Sequence, residues 1–180
     1  MRLLFELDKH DYIPSGTVGR RPSVRGIIVQ NGLLLMVHSL RDDYYKFPGG
    51  GIDGSETHTE TLCREVREET GMTVCPETVR AYGLVRRIQK GVREDIFLQE
   101  NFYYFCEISG ETGAQSLDRY EAEEQFTPEW VTPAHAISVN EAALAANRKD
   151  GFEAAMVERE IRVLGMLTAE FPALFARSKS

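Results

Sequence analysis

Cysteine is scarce in this chain, and the three that occur (Cys63, Cys75, Cys106) follow no metal-binding spacing. An odd number of thiols excludes a closed disulfide framework, so free thiols in a reducing cytoplasm are the simplest expectation. Long apolar runs are missing too, and nothing approaches the ~20 residues needed to span a bilayer. The opening stretch Met1-Arg-Leu-Leu-Phe-Glu-Leu-Asp8 meets charges too early for a secretion signal. A soluble chain with no membrane contact is therefore expected. Positive charge is in deficit: 21 basic against 28 acidic residues give a net charge of -7, which argues against extended nucleic acid as a partner. Repeats, low-complexity tracts and linkers are also absent. With 42% hydrophobic residues, the 180 residues fit a single domain, 1–180, with 139–180 as a helical extension packed on it.

The local patterns outline the elements. Residues 1–8 alternate loosely and read as a strand, and 9–23, with Pro14, Gly16, Gly19 and Pro22, read as a connecting loop. Val24–Val29 and Leu33–His38 flank Asn31-Gly32, a strong hairpin signal. A polar loop, Ser39–Lys46, leads to Phe47-Pro48-Gly49-Gly50-Gly51, which is not helical. From Thr57 the period becomes helical: Thr57 with Glu60 forms a capping box, Leu62 and Val66 face the core, and Gly71 is a C-cap. Val79–Ile88, Ile96–Ile108 and Phe126–Val131 read as strands, and Glu141–Lys149 and Phe152–Leu167 as helices. The apolar side of the last helix, with Met156, Ile161, Leu164 and Leu167, covers a face of the sheet or forms a homodimer contact. The expected class is α/β of the α+β type, a mixed β-sheet sandwiched between α-helices.

One segment carries chemistry. Glu65, Glu68 and Glu69 stand at i, i+3 and i+4, so one helix face holds three carboxylates. Their mutual repulsion would be offset by a cation, and hard oxygen donors at this density suit Mg²⁺ or Mn²⁺. The glycines just upstream let backbone carbonyls approach the same ion, and Arg64 can pair with Glu56 to tie loop to helix. Taken alone, such a face is usually solvated surface. Gly49-x-Gly51-x-x-Gly54 also fits a dinucleotide fingerprint formally, but Pro48 and the charged helix suit that turn badly.

The full spacing decides between these readings. Gly50, Glu56, Arg64-Glu65-Val66, Glu68-Glu69 and Gly71-Met72 fall, without a gap, at the positions of the box that defines Nudix hydrolases. Seven identities and two hydrophobic classes would coincide by chance at roughly one in a billion per starting position. The chain thus resembles that family, and the resemblance implies a Nudix fold. It further implies a metal-dependent hydrolase that cleaves a pyrophosphate bond in a nucleoside diphosphate linked to another moiety, or in a (d)NTP. The non-catalytic alternative is a Nudix-fold sensor of a nucleotide metabolite.

Carried over by position, the resemblance makes Glu68 and Glu69 the principal metal ligands and Glu65 a further ligand or water-orienting carboxylate. Gly49 or Gly50 lends a carbonyl, while Glu56 and Arg64 hold the loop. A downstream acidic residue is also implied, and among Glu121, Glu123 and Glu124 the favoured one is Glu124, as metal ligand or catalytic group. The base is then either Glu65 or a residue of the 121–124 loop. Gly54-Ser55-Glu56 departs from the Gly-Glu pair of many members. Phosphate contacts are sought at Arg25 and Arg86, then at Arg87, Lys90 and Arg93, and base stacking at Phe47, Tyr44, Tyr45 or Tyr103. The polyanion problem of an acidic protein is answered by the bound Mg²⁺.

Overall fold

A computed structural model describes residues 1–146 and 154–176. In chain order the elements are β1 (Leu3–Asp8), β2 (Val18–Arg20), β3 (Ser23–Ile27), β4 (Val29–Gln30), β5 (Leu33–Ser39), β6 (Tyr44–Lys46), α1 (His58–Thr70), β7 (Met72–Val74), β8 (Arg80–Lys90), β9 (Ile96–Phe105), β10 (Ile108–Thr112), α2 (Arg119–Glu123), β11 (Phe126–Val131), α3 (Pro133–Ala145) and α4 (Ala154–Glu170). The expected helical stretches at 147–149 and 152–153 lie outside the described residues.

The mixed α+β class holds, but the strands divide into three sheets. The largest runs β1-β8-β9-β2, with β3 also paired to β9. In it β8 and β9 are antiparallel, while β1, β2 and β3 pair parallel to their neighbours. A second sheet runs β11-β5-β4 with β6 on β5, and β10 pairs β7 in a third. The Asn31-Gly32 hairpin forms with both residues at positive φ, 50° and 79°, as a tight two-residue turn requires. It joins only β4 to β5. The preceding run, Ser23–Ile27, instead pairs with β9 in the largest sheet, and all five of its residues are buried.

Alternation along β5 shows how the helices sandwich the sheets. Leu34 and Met36 join Val163, Leu164 and Leu167 of α4 in one core cluster. Leu35, on the opposite face, joins Leu62 and Val66 of α1 in another. Both faces of the strand are covered, so its sequence is a continuous apolar run. Val163, Leu164 and Leu167 are fully buried within the chain, as covering a sheet face demands. Two segments read as loops contain strands: Val18–Arg20 pairs with β9, and Tyr44–Lys46 is a buried strand on β5. No helix among the described residues is long and apolar enough to cross a membrane.

Candidate metal centre and cleft

The carboxylate helix α1 is fixed at both ends. Thr57 accepts from the Glu60 N–H while the Glu60 carboxylate accepts from Thr57, and Gly71 ends the helix in the left-handed region at φ 71°. Leu62 and Val66 are buried against the sheet, and this sets the rotation of the helix. Glu65 and Glu69, one turn apart, then point inward at 9% and 1% exposure. Glu68 lies about 100° of helix rotation from Glu69 and stays at the rim, with two fifths of its side chain exposed.

Arg64 organises the polar side. Its Nε and Nη2 donate to the two Glu56 oxygens at 2.8 Å each, and Nη1 donates to Glu65 at 2.7 Å and to Glu68 at 3.1 Å. The expected Arg64–Glu56 pair is therefore present, and the arginine holds the Glu56 carboxyl down to about 2. Burial pushes the Glu65 carboxyl up despite Arg64.

The glycine run is packed against these acids. A Cβ on Gly50 would stand 2.2 Å from Glu65 Oε2, so only glycine leaves that carboxylate its place. Gly49 has φ 136° and would strike the Val24 carbonyl, and its N–H donates to Glu69 Oε2 at 2.8 Å. The Gly49 carbonyl accepts from Arg25, and that of Gly50 from the Val24 N–H, so each keeps at most one further lone pair.

The downstream acid is where the structure departs from the sequence preference. Glu121, on the short helix α2, brings an oxygen to within 4.8 Å of oxygens of Glu65 and Glu69, the one such group of potential metal ligands among the described residues. Burial, and secondarily Glu69, push its carboxyl up to about 7. Glu124 is turned away. It caps α2 before Gln125, whose φ of 56° reverses the chain, and its carboxylate accepts from Ser39 Oγ at 2.8 Å and Arg41 at 3.1 Å. Glu123 is on the outside, paired with Arg119.

Beside the carboxylates opens a cleft of about 880 Å³. Arg21, Arg25, Lys46, Arg87, Lys90 and Arg93 line it, a local concentration of positive charge on an acidic protein. Phe97 and Tyr120 add aromatic surface, while Tyr44, which also borders the cleft, is buried. Arg25 is at the cleft, as sought. Arg86 is not: it points to the other face of β8 and pairs with Glu6 and Glu100. Phe47 is fully buried edge-on to Tyr103, also fully buried, so neither offers a ring to a ligand. Tyr45 stacks on His38 instead.

A model of the NUDIX domain matches residues 19–155 of the chain, well over half of it. The chain belongs to the Nudix family. Among its relatives, the RNA pyrophosphohydrolase of Xanthomonas axonopodis pv. citri (strain 306) is 30% identical over 125 residues, 63% of this chain and 60% of that protein. The RNA pyrophosphohydrolase of Stenotrophomonas maltophilia (strain K279a) is 30% identical over 63% of this chain and 59% of its own. The chain thus spans about 60% of the length of these curated relatives. Among solved structures, the MutT protein from Bacillus halodurans superposes with a TM-score of 0.53 at 20% identity, over 71% of this chain and 80% of that one. The E. coli ORF135 protein does so at 0.50 and 20%, over 87% and 96%. These likenesses show the Nudix fold.

Beyond the Nudix box, sequence reasoning missed Lys46 and Arg159. Lys46 was hidden in an apparently polar loop. Arg159, on α4 beyond the family match, also lines the cleft; it is buried, donates to Asn101 at 2.6 Å and pairs with Glu160. Asn101 accepts in turn from Ser23 beside the glycine loop. The two bonds to Asn101 join residues 58 or more apart in sequence, and no local pattern announces them.

Proposed function

We propose that the protein is a divalent-metal-dependent pyrophosphohydrolase acting on the polyphosphate of a nucleotide-type substrate. The observation that carries this is the convergence of Glu65, Glu69 and Glu121 on one point at the edge of a basic cleft. An all-carboxylate donor set, with no His or Cys among it, fits Mg²⁺ or Mn²⁺ better than zinc. The close packing of the Glu65 carboxylate on the Gly50 backbone brings a further carbonyl near the same acids. Glu69 and Glu121 would hold the ion, with Glu68 joining from the rim. A divalent ion there would offset charge on the leaving phosphate and make water a better nucleophile at neutral pH.

The remaining work falls to this chain's own groups. Glu65, its carboxyl raised by burial and one oxygen held by Arg64, is suited to take the proton from the attacking water. Arg25, Arg87, Lys90 and Arg93 would orient the phosphates, and Phe97 or Tyr120 the base. The names of the relatives support the 5′ polyphosphate end of an RNA as one such substrate. The basic wall is short, so it would grip the first nucleotides and not a long tract. Three free thiols fit a reducing compartment such as the cytoplasm.

The test is release of phosphate or pyrophosphate, with Mg²⁺ and with chelator, from dNTPs, nucleoside diphosphate conjugates and a 5′-triphosphorylated oligoribonucleotide. Turnover of at least one member, abolished by chelator, is expected. Tight binding without turnover of any would establish the sensor instead.

A further inference from the structure

Lys46 ends β6 with its ammonium among the carboxylates. The residue is 7% exposed, and a lysine so covered needs a partner. Its Nζ lies 2.5 Å from Glu69 Oε1 and 4.3 Å from the centroid of the Phe126 ring. The other Glu69 oxygen accepts from the Gly49 N–H. Oε1 is therefore the oxygen of Glu69 not committed to the glycine loop, and Lys46 holds it. Arg64 offers Glu69 no relief, because its donors are spent on Glu56, Glu65, Glu68 and the Gly51 carbonyl.

We propose that Lys46 is an internal competitor of the metal: a positioning residue that holds Glu69 against Glu65 and Glu121, and that must release Oε1 before a divalent ion binds there. The inference rests on the metal-site reading above. Its physical basis is crowding of like charge. An ion bound to Oε1 at about 2.1 Å would stand roughly 4 Å or less from an ammonium on the same oxygen. Shielded from water, such neighbours repel strongly, so one of them leaves. The lysine stem has four flexible carbons and lines the cleft, where the ammonium can swing toward a substrate phosphate. The arrangement lets three carboxylates fold together before any ion arrives, and it weakens metal affinity in exchange.

The experiment is direct Mn²⁺ titration of the whole chain, stripped with chelator, followed by the resonance of free Mn²⁺, for wild type, Lys46→Met and Lys46→Arg. If Lys46 covers Oε1 in nine molecules of ten, Lys46→Met should bind Mn²⁺ about tenfold more tightly. It should also melt lower than wild type in chelator and gain more from Mn²⁺. Lys46→Arg, which keeps the charge, should bind like wild type. Affinity in Lys46→Met equal to or weaker than wild type overturns the inference alone, while binding by neither protein overturns the metal-site reading with it. If Lys46→Met does not fold, the wild type decides by the NMR signal of the Lys46 ammonium. Its loss of protection on adding Mg²⁺ supports the competition, and its persistence with Mg²⁺ bound refutes it.

Discussion

Changing Glu121 to Gln should make the protein more stable without divalent cations and less active with them. The Glu121 carboxyl stands at about 7 against an ordinary 4.5, because burial and the neighbouring Glu69 both disfavour its charge. Its folded value lies above the unfolded one, so between about 4.5 and about 7 the folded chain keeps a proton that the unfolded chain gives up. Stability therefore falls as pH rises through that window, and Gln removes the loss. At ~1.4 kcal/mol per pH unit the gap sets a ceiling of about 3 kcal/mol. The group is only half buried, and solvent screening leaves about 1 to 2 kcal/mol. The Gln amide oxygen can still accept from the Asp118 N–H, so the cap of α2 survives. For a chain of this size the melting point in chelator should rise by about 3 to 6 °C at pH 8 and hardly at pH 5. With excess Mg²⁺ the order should reverse, because wild type binds the ion more tightly, and kcat in Glu121→Gln should drop at least about 100-fold. Melting curves at the two pH values, with and without Mg²⁺, provide the assay. An equal stabilisation at pH 5 and pH 8, or the same Mg²⁺ gain in both proteins, would refute the reasoning.

Gly50→Ala puts a methyl 2.2 Å from Glu65 Oε2, the far end of a side chain, so folding should survive while kcat falls about 100-fold. Gly49→Ala meets backbone at φ 136° and should instead show its damage in the melting curve. Arg159→Met strands the fully buried Glu160 and should cost about 3–5 kcal/mol in denaturant titration, much of it recovered by adding Glu160→Leu. Deleting the chain from Ala154 onward uncovers the core that Val163, Leu164 and Leu167 fill, and should leave the protein insoluble on expression, as sedimentation would show.

Legibility in the sequence follows how far apart the interacting residues are. The caps of α1, the Asn31-Gly32 turn and the face shared by Glu65 and Glu69 depend on neighbours within four positions, and all three are readable from spacing alone. Glu68 satisfies the same spacing, yet the burial of Leu62 and Val66 fixes a helix rotation that leaves it at the rim. The 121–124 loop shows the limit more sharply. Glu121 and Glu124 are one turn apart in an acidic stretch, with nothing local to separate them. The reversal at Gln125 and the hydroxyl of Ser39, far away in sequence, draw Glu124 aside and leave Glu121 facing α1. Lys46 was obscured for a related reason, since a polar residue beside two tyrosines reads as loop until a strand partner covers it. Arg159 and Glu160 are buried as neighbours on α4, but other buried polar partners come from separate elements. Their compensation is written in the tertiary structure, where Lys46 meets Glu69 across 23 positions and Arg159 meets Asn101 across 58.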